Sequence, residues 1–208
     1  FKLKEIFQEY NYTLIAPLTT NLLFIIVFLA IENYYSLKMD SGSFVTFLAP
    51  GLLVMIVAQE SYHISSTTLI HMKQIGSLDD WLIAPMYRIE ILLSLLITTL
   101  IIGFTLAFLN FFVFSFFINL QIYNYFYFFY YLFIVIIFFS CFGCFVGIIF
   151  SSWDSQSTFS NFFVSPINFL SGTFFSINSL PENLKIMLFY NPYYYIIKYF
   201  RDSFYINS

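Results

Sequence analysis

Apolar and polar positions fall in long blocks along this chain. No charged residue lies between Glu9 and Glu32, and residues 13–31 form an apolar block of the length that crosses a bilayer, about 20 residues. Pro17 falls near its start, where a missing backbone N–H does least harm. A polar loop with Lys38 and Asp40 covers residues 32–43, and a second block begins near Phe44. Its uncharged part ends at Gln59, yet Glu60, His63, Ser65, Ser66, Thr67 and Thr68 continue at helical spacing, with no breaker before Gly76. A helix over residues 44–72 would extend about 43 Å at 1.5 Å per residue, well beyond a hydrocarbon core of about 30 Å. It therefore either projects into the cytoplasm or lines a polar cavity. Glu60 is correspondingly a pathway acid or a carboxylate held at headgroup level.

The stretch from Glu90 to Asp154 carries no charge between its ends and is too long for one crossing. Two spans fit, near residues 91–117 and 126–150, with Asn119, Gln121 and Asn124 marking the turn. Gly143 and Gly147 form a G-x-x-x-G in the second, which permits close helix approach. A fifth apolar block over residues 159–175 is interrupted by Ser165-Pro166 and Ser171-Gly172. Residues 1–11 place Leu3, Ile6, Phe7 and Tyr10 on one helical face and Lys2, Lys4, Glu5 and Glu9 on the other, as in an interfacial helix or a lead-in to the first span. The pattern predicts an all-α, polytopic transmembrane bundle of five spans.

Composition agrees. Hydrophobic residues make up 60% and charged residues 9% of the chain, where a soluble domain carries about 25% charge. A net charge of −3 with no basic patch argues against nucleic acid as a partner. Cys141 and Cys144 form a C-x-x-C inside an apolar span, where a thiolate is costly; they read as small packing residues. The chain opens on Phe1 without a signal-peptide pattern, so its numbering is expected to start inside a longer protein.

Chemistry is sparse. The glycines form no P-loop, and no G-x-S-x-G is present. His63 and His71 lack the spacing and Cys partners of a metal site. Carboxylates inside the spans are unpaired, which disfavours an intramembrane hydrolase or proton relay. No catalytic or metal residue is assigned. Orientation is also open. With the N-terminus inside, Lys2, Lys4, Lys73 and Arg88 face the cytoplasm and Lys38, Lys185, Lys198 and Arg201 face outward, a tie under the positive-inside rule.

Two stretches carry a resemblance. FLAPGLLVM followed by GSLDDWLIAPMYRIEILL resembles the second span, cytoplasmic turn and third span of type-2 ABC exporter permeases. INFLSGTFFSINSLPENLKIMLFYNPYYYIIKYFRDSFY resembles that family's fifth span, its short external re-entrant region and the approach to its sixth span, with Gly172, Leu180-Pro181, Asn191-Pro192, Tyr195 and Arg201 at the family's spacing. The match runs in order over nearly the whole chain, residues 1–208, as a single transmembrane domain. It implies six spans, so one more is expected beyond Ser208.

The resemblance further implies a permease paired with a second copy as a homodimer, embedded in the lipid bilayer of the cytoplasmic (inner) membrane. Two separate ABC ATPase subunits would use ATP and Mg; this chain itself would bind no cofactor. It places residues 73–88 in the cytoplasm. Within residues 76–85, Leu78, Trp81, Leu82 and Pro85 share one face while Asp79 and Asp80 project elsewhere, and Gly76 and Pro85 bound a short helix. That segment is expected to couple the ATPase to the spans; a turn in which Trp81 only anchors at headgroup level is the alternative. Cargo would be amphipathic, lipid-linked, drug-like or polysaccharide. Other readings are a membrane-embedded lipid-modifying enzyme and a non-transporting scaffold subunit.

Overall fold

The computed structural model describes residues 14–35, 38–39, 42–78, 83, 87–175 and 181–205. Among the described residues, four helices are long and apolar enough to cross a membrane: α1 (Ala16–Tyr35), α2 (Phe44–Ile75), α3 (Arg88–Phe117) and α4 (Tyr125–Ile149). A two-residue antiparallel pair, β1 (Lys38–Met39) and β2 (Gly42–Ser43), closes the α1–α2 connection. Glu32, expected in that loop, lies in the last turns of α1. Its carboxylate accepts from Val45 N at 2.9 Å and Ser43 Oγ at 2.9 Å, which satisfies a free donor at the α2 N-terminus and places negative charge at the positive end of the helix.

At 32 residues α2 is about 48 Å long, and it is the most buried of the four. Every other long helix packs on it. The serines that read as a polar tail do not leave the bundle: Ser61, Ser65 and Ser66 are at most 1% exposed. They meet α4, which runs parallel to α2. A Cβ on Gly143 would come within 2.4 Å of Tyr62 O, and one on Gly147 within 2.9 Å of Ser66 O. The G-x-x-x-G therefore brings two backbones together. Ser140 Oγ lies 2.7 Å from Ser65 Oγ and 2.8 Å from Thr99 Oγ1, tying α4 to α2 and α3. Nearer the α2 N-terminus, Asn21 Nδ2 donates to Asn110 Oδ1 at 2.9 Å, and so joins α1 to α3.

The fifth apolar block differs from its expected form. It is a continuous helix that begins earlier, in the presumed connector, and ends earlier. Its parts are α5 (Trp153–Phe159), a π turn (Ser160–Val164) and α6 (Ser165–Phe169), of seven, five and five residues. Pro166 lacks the donor that regular α geometry requires, and the wider turn just before it, with Ser165 N bonded to Ser160 O, accommodates the loss. At about 25 Å it is shorter than the hydrocarbon core, and residues 170–175 form a turn rather than a span. Two short helices follow, α7 (Glu182–Tyr190) and α8 (Pro192–Asp202). The amphipathic stretch 1–11 lies outside the described residues.

Gly143→Ala is expected to destabilise the fold by about 1–3 kcal/mol, as overpacking does, because its new methyl meets backbone. Gly103→Ala should cost less: its contacts, 2.8 Å away, are side-chain atoms of Ile136 that can shift. Thermal unfolding of the detergent-purified protein ranks the two.

Candidate coupling and transport sites

The α2 C-terminus and the segment 170–205 lie at opposite ends of the bundle. At the first, Gly76 ends α2 with φ 76° in the left-handed region, its N–H bonded to Lys73 O at 3.2 Å. Among the described residues nothing lies within 4 Å of a Cβ built there, and the left-handed backbone itself favours glycine. Leu78, expected on a face turned to a partner, is half-buried against Leu69, Leu95 and Cys144 of its own bundle. Asp79, Asp80, Trp81, Leu82 and Pro85 lie outside the described residues. The chain resumes its helix at α3, where Tyr87 N donates to Glu90 Oε2 at 3.1 Å. Ile75, Ile83, Tyr87 and Ile89 are each more than 60% exposed around this turn.

Three residues here escaped the sequence reading. Lys73 Nζ donates to Ile148 O and, at 3.1 Å, to Phe150 O, at the C-terminus of α4. Gln74 Nε2 reaches Ser151 O at 3.4 Å, and Trp153 Nε1 donates to Gln74 Oε1. The only sequence signal was that Lys73 and Trp153 sit where charge resumes after long apolar blocks.

At the other end the motif residues converge. Gly172 has φ 78°, and a Cβ on it would touch Tyr194 at 3.0 Å. Asn191 Nδ2 donates to Ile167 O and Leu170 O, both at 3.1 Å, while its Oδ1 caps α8 by accepting from Tyr193 N. Pro192 opens α8 and Pro181 precedes α7. Arg201 Nη2 donates to Gly172 O at 3.2 Å and Thr173 O at 3.5 Å, and its guanidinium lies 3.7 Å from the centre of the Phe47 ring on α2. Gly51 leaves room for that arrangement, since a Cβ there would meet Thr173 and Arg201 within 3.2 Å. Tyr195 is partly exposed, edge-on to Tyr194. Leu180 lies outside the described residues. The cap is thus a built turn, with Gly172, Asn191 and Arg201 each making a different backbone contact.

Between the two ends, the uncovered sides of α1, α3 and α4 are apolar: Leu23, Val27, Ile97, Phe112, Phe133 and Phe145 are all exposed. Such faces suit lipid. On α2 the uncovered face is polar. Glu60, His63, Thr67, His71 and Gln74 recur at intervals of three and four residues, from half-buried Glu60 to exposed His63, His71 and Gln74. Glu60 has no hydrogen bond or ion pair among the described residues. Cys144 is buried as packing, and Cys141 is exposed on the apolar side of α4.

Comparison with known proteins identifies this arrangement. The profile of the family described as ABC-2 type transporter matches residues 2–205. The chain belongs to that family. The chain is 25% identical over 192 residues to the inner membrane transport permease YadH of Escherichia coli (strain K12), covering 92% of this chain and 75% of that protein. The same figures hold for YadH of Escherichia coli O157:H7 and of Shigella flexneri. No solved structure matches significantly. As an ABC-2 family member with four membrane-length helices, the chain is a multi-pass membrane protein.

Arg201→Met should weaken the cap by about 1.5–3 kcal/mol, the range for hydrogen bonds to a charged donor. Gly172→Ala should cost about 1–2 kcal/mol from left-handed backbone strain alone. Protease sensitivity of residues 170–205 in membrane vesicles checks both; unchanged cleavage would count against the cap.

Proposed function

We propose that this chain is the permease subunit of an ATP-driven exporter in the cytoplasmic (inner) membrane. Two copies enclose a path, and two separate ABC ATPase subunits drive it with ATP and Mg. Membership of the ABC-2 family and the inner membrane transport permeases among its relatives support the class. In this orientation the end with Lys73 and Gly76 is cytoplasmic and the cap on Arg201 is external.

One observation carries the path: the open face of α2 is lined by large polar and ionisable side chains over its C-terminal half, where the midsections of α1, α3 and α4 present mainly apolar ones. A charged group turned to lipid costs about 2.5–3.5 kcal/mol at mid-membrane, so Glu60 needs water, cargo or a second copy opposite it. The stripe starts near the middle of α2 and reaches its cytoplasmic end, whereas the preceding residues on the same face, Ala49, Leu53 and Ile56, are buried. It forms an inward-opening lining. Cargo remains in the amphipathic, lipid-linked, drug-like or polysaccharide range. A lipid-modifying enzyme would need polar groups converging on one point; these run in a line along one helix.

Residues 76–85 are the coupling element; exposed Ile83 within it and exposed Ile75 and Tyr87 beside it suit a hydrophobic partner groove. Two experiments follow. In a Cys141→Ser, Cys144→Ser background, His63→Cys should react with a membrane-impermeant thiol reagent applied from the cytoplasmic side, and Ile97→Cys should not. Equal protection of both would remove the stripe from the path. The intact protein should also co-purify with an ATPase subunit, and Asp79→Lys combined with Trp81→Ala should lower transport-coupled ATP hydrolysis while leaving membrane insertion intact. Recovery of the permease without any ATPase would defeat the exporter reading.

A further inference from the structure

The contacts of Lys73, Gln74 and Trp153 lie within one helical turn of Gly76, and they join α2 to the corner where α4 becomes α5. The C-terminal carbonyls of α4 have no helical partner. An ammonium supplied by a different helix satisfies Ile148 O and Phe150 O and opposes the negative end of the α4 dipole. Gln74 uses both ends of its amide, donating to Ser151 O and accepting from Trp153 Nε1. The Trp153 ring also lies 6.2 Å from that of His71.

The helix that starts at Trp153 is held at its far end as well, where Asn191 bonds Ile167 O and Leu170 O. The next turn is bonded by Arg201, whose guanidinium stacks on Phe47 of α2. This helix therefore spans from the cytoplasmic contacts of α2 to the outer cap, with a π turn and Pro166 between. A π turn inside an α-helix is a place where the hydrogen-bond register changes, and such turns recur at functional sites.

We propose that Lys73, Gln74 and Trp153 form a clasp that passes displacement of the coupling turn to the helix over residues 153–169, and through it to the external cap. The inference rests on the coupling role assigned above to residues 76–85. Lys73 and Trp153 are positioning residues: they touch neither cargo nor nucleotide and act by keeping two helices in register. A mere C-cap would stabilise α4 without affecting how the outer end responds to ATP.

The test uses the intact permease with its co-purifying ATPase in lipid nanodiscs. Spin labels at Gln121→Cys and Tyr195→Cys, both exposed at the outer end, report a distance before and after trapping with ATP and vanadate. The unmodified clasp should give a nucleotide-dependent distance change. Lys73→Met should lose most of it while ATP hydrolysis by the bound subunit continues, and Lys73→Arg should restore it. Trp153→Phe keeps an aromatic side chain but removes the indole N–H; it should reduce the change in the same direction, so the outcome does not depend on the folding of one variant. Retention of the full change in both Lys73→Met and Trp153→Phe overturns the clasp alone. Absence of any bound ATPase from the unmodified protein overturns the clasp and the exporter reading together.

Discussion

The parallel contact between α2 and α4 is the constraint on which the other features depend. Two glycines one turn apart let α4 approach until its backbone lies against Tyr62 and Ser66 of α2. In a bilayer no hydrophobic force drives helices together, because lipid is as apolar as leucine; close packing and interhelical hydrogen bonds must do it. The approach makes the Ser65–Ser140–Thr99 chain possible and sets the α4 C-terminus beside Lys73. It also lets α2, a helix with many polar residues, occupy the centre of the bundle.

The hydroxyls on the buried side of α2 are compatible with that position. Ser61 and Ser65 donate back to the carbonyls of Val57 and Ser61, four residues earlier, at 2.7 and 2.9 Å. Back-bonding of this kind satisfies the donor inside its own helix. Such serines can then pack nearly as alanines do, while Ser65 still shares its oxygen with α4. Gln156 completes the set by donating to Ser66 Oγ at 3.0 Å, which fixes α5 on α2.

Much of this was legible in the residue pattern, for identifiable reasons. Long charge-free blocks reveal spans because charge is so costly in hydrocarbon, and the four long helices fall where those blocks lie. The turn glycines and Asn191-Pro192 could be read as a unit because each has a narrow structural use. The fifth block was misjudged because hydropathy cannot register a helix that starts in a serine-rich connector and ends at a glycine turn. The clasp was illegible: Lys73 and Gln74 lie far in sequence from Trp153 and the α4 C-terminus, and their bonds go mainly to backbone, which leaves no side-chain pattern to read. Asn21 and Asn110 were hidden likewise, each a lone amide in an apolar run whose partner is another span.

The two sides of α2 also clarify Glu60. An apolar environment tolerates polar side chains only when their hydrogen bonds are met nearby. On the side facing α4, Ser61 and Ser65 make back-bonds to their own helix. On the open side Thr67 bonds back to His63 O at 2.6 Å, but a carboxylate, two imidazoles and a carboxamide are too large or too strongly polar to be satisfied that way. Gln74 finds its partners in the clasp. The side chains of Glu60, His63 and His71 find no hydrogen-bond partner among the described residues. A polar face on the most buried helix, uncovered only from its midpoint to its C-terminal end, fits a surface that meets water and cargo during transport. It does not fit one that rests permanently against lipid.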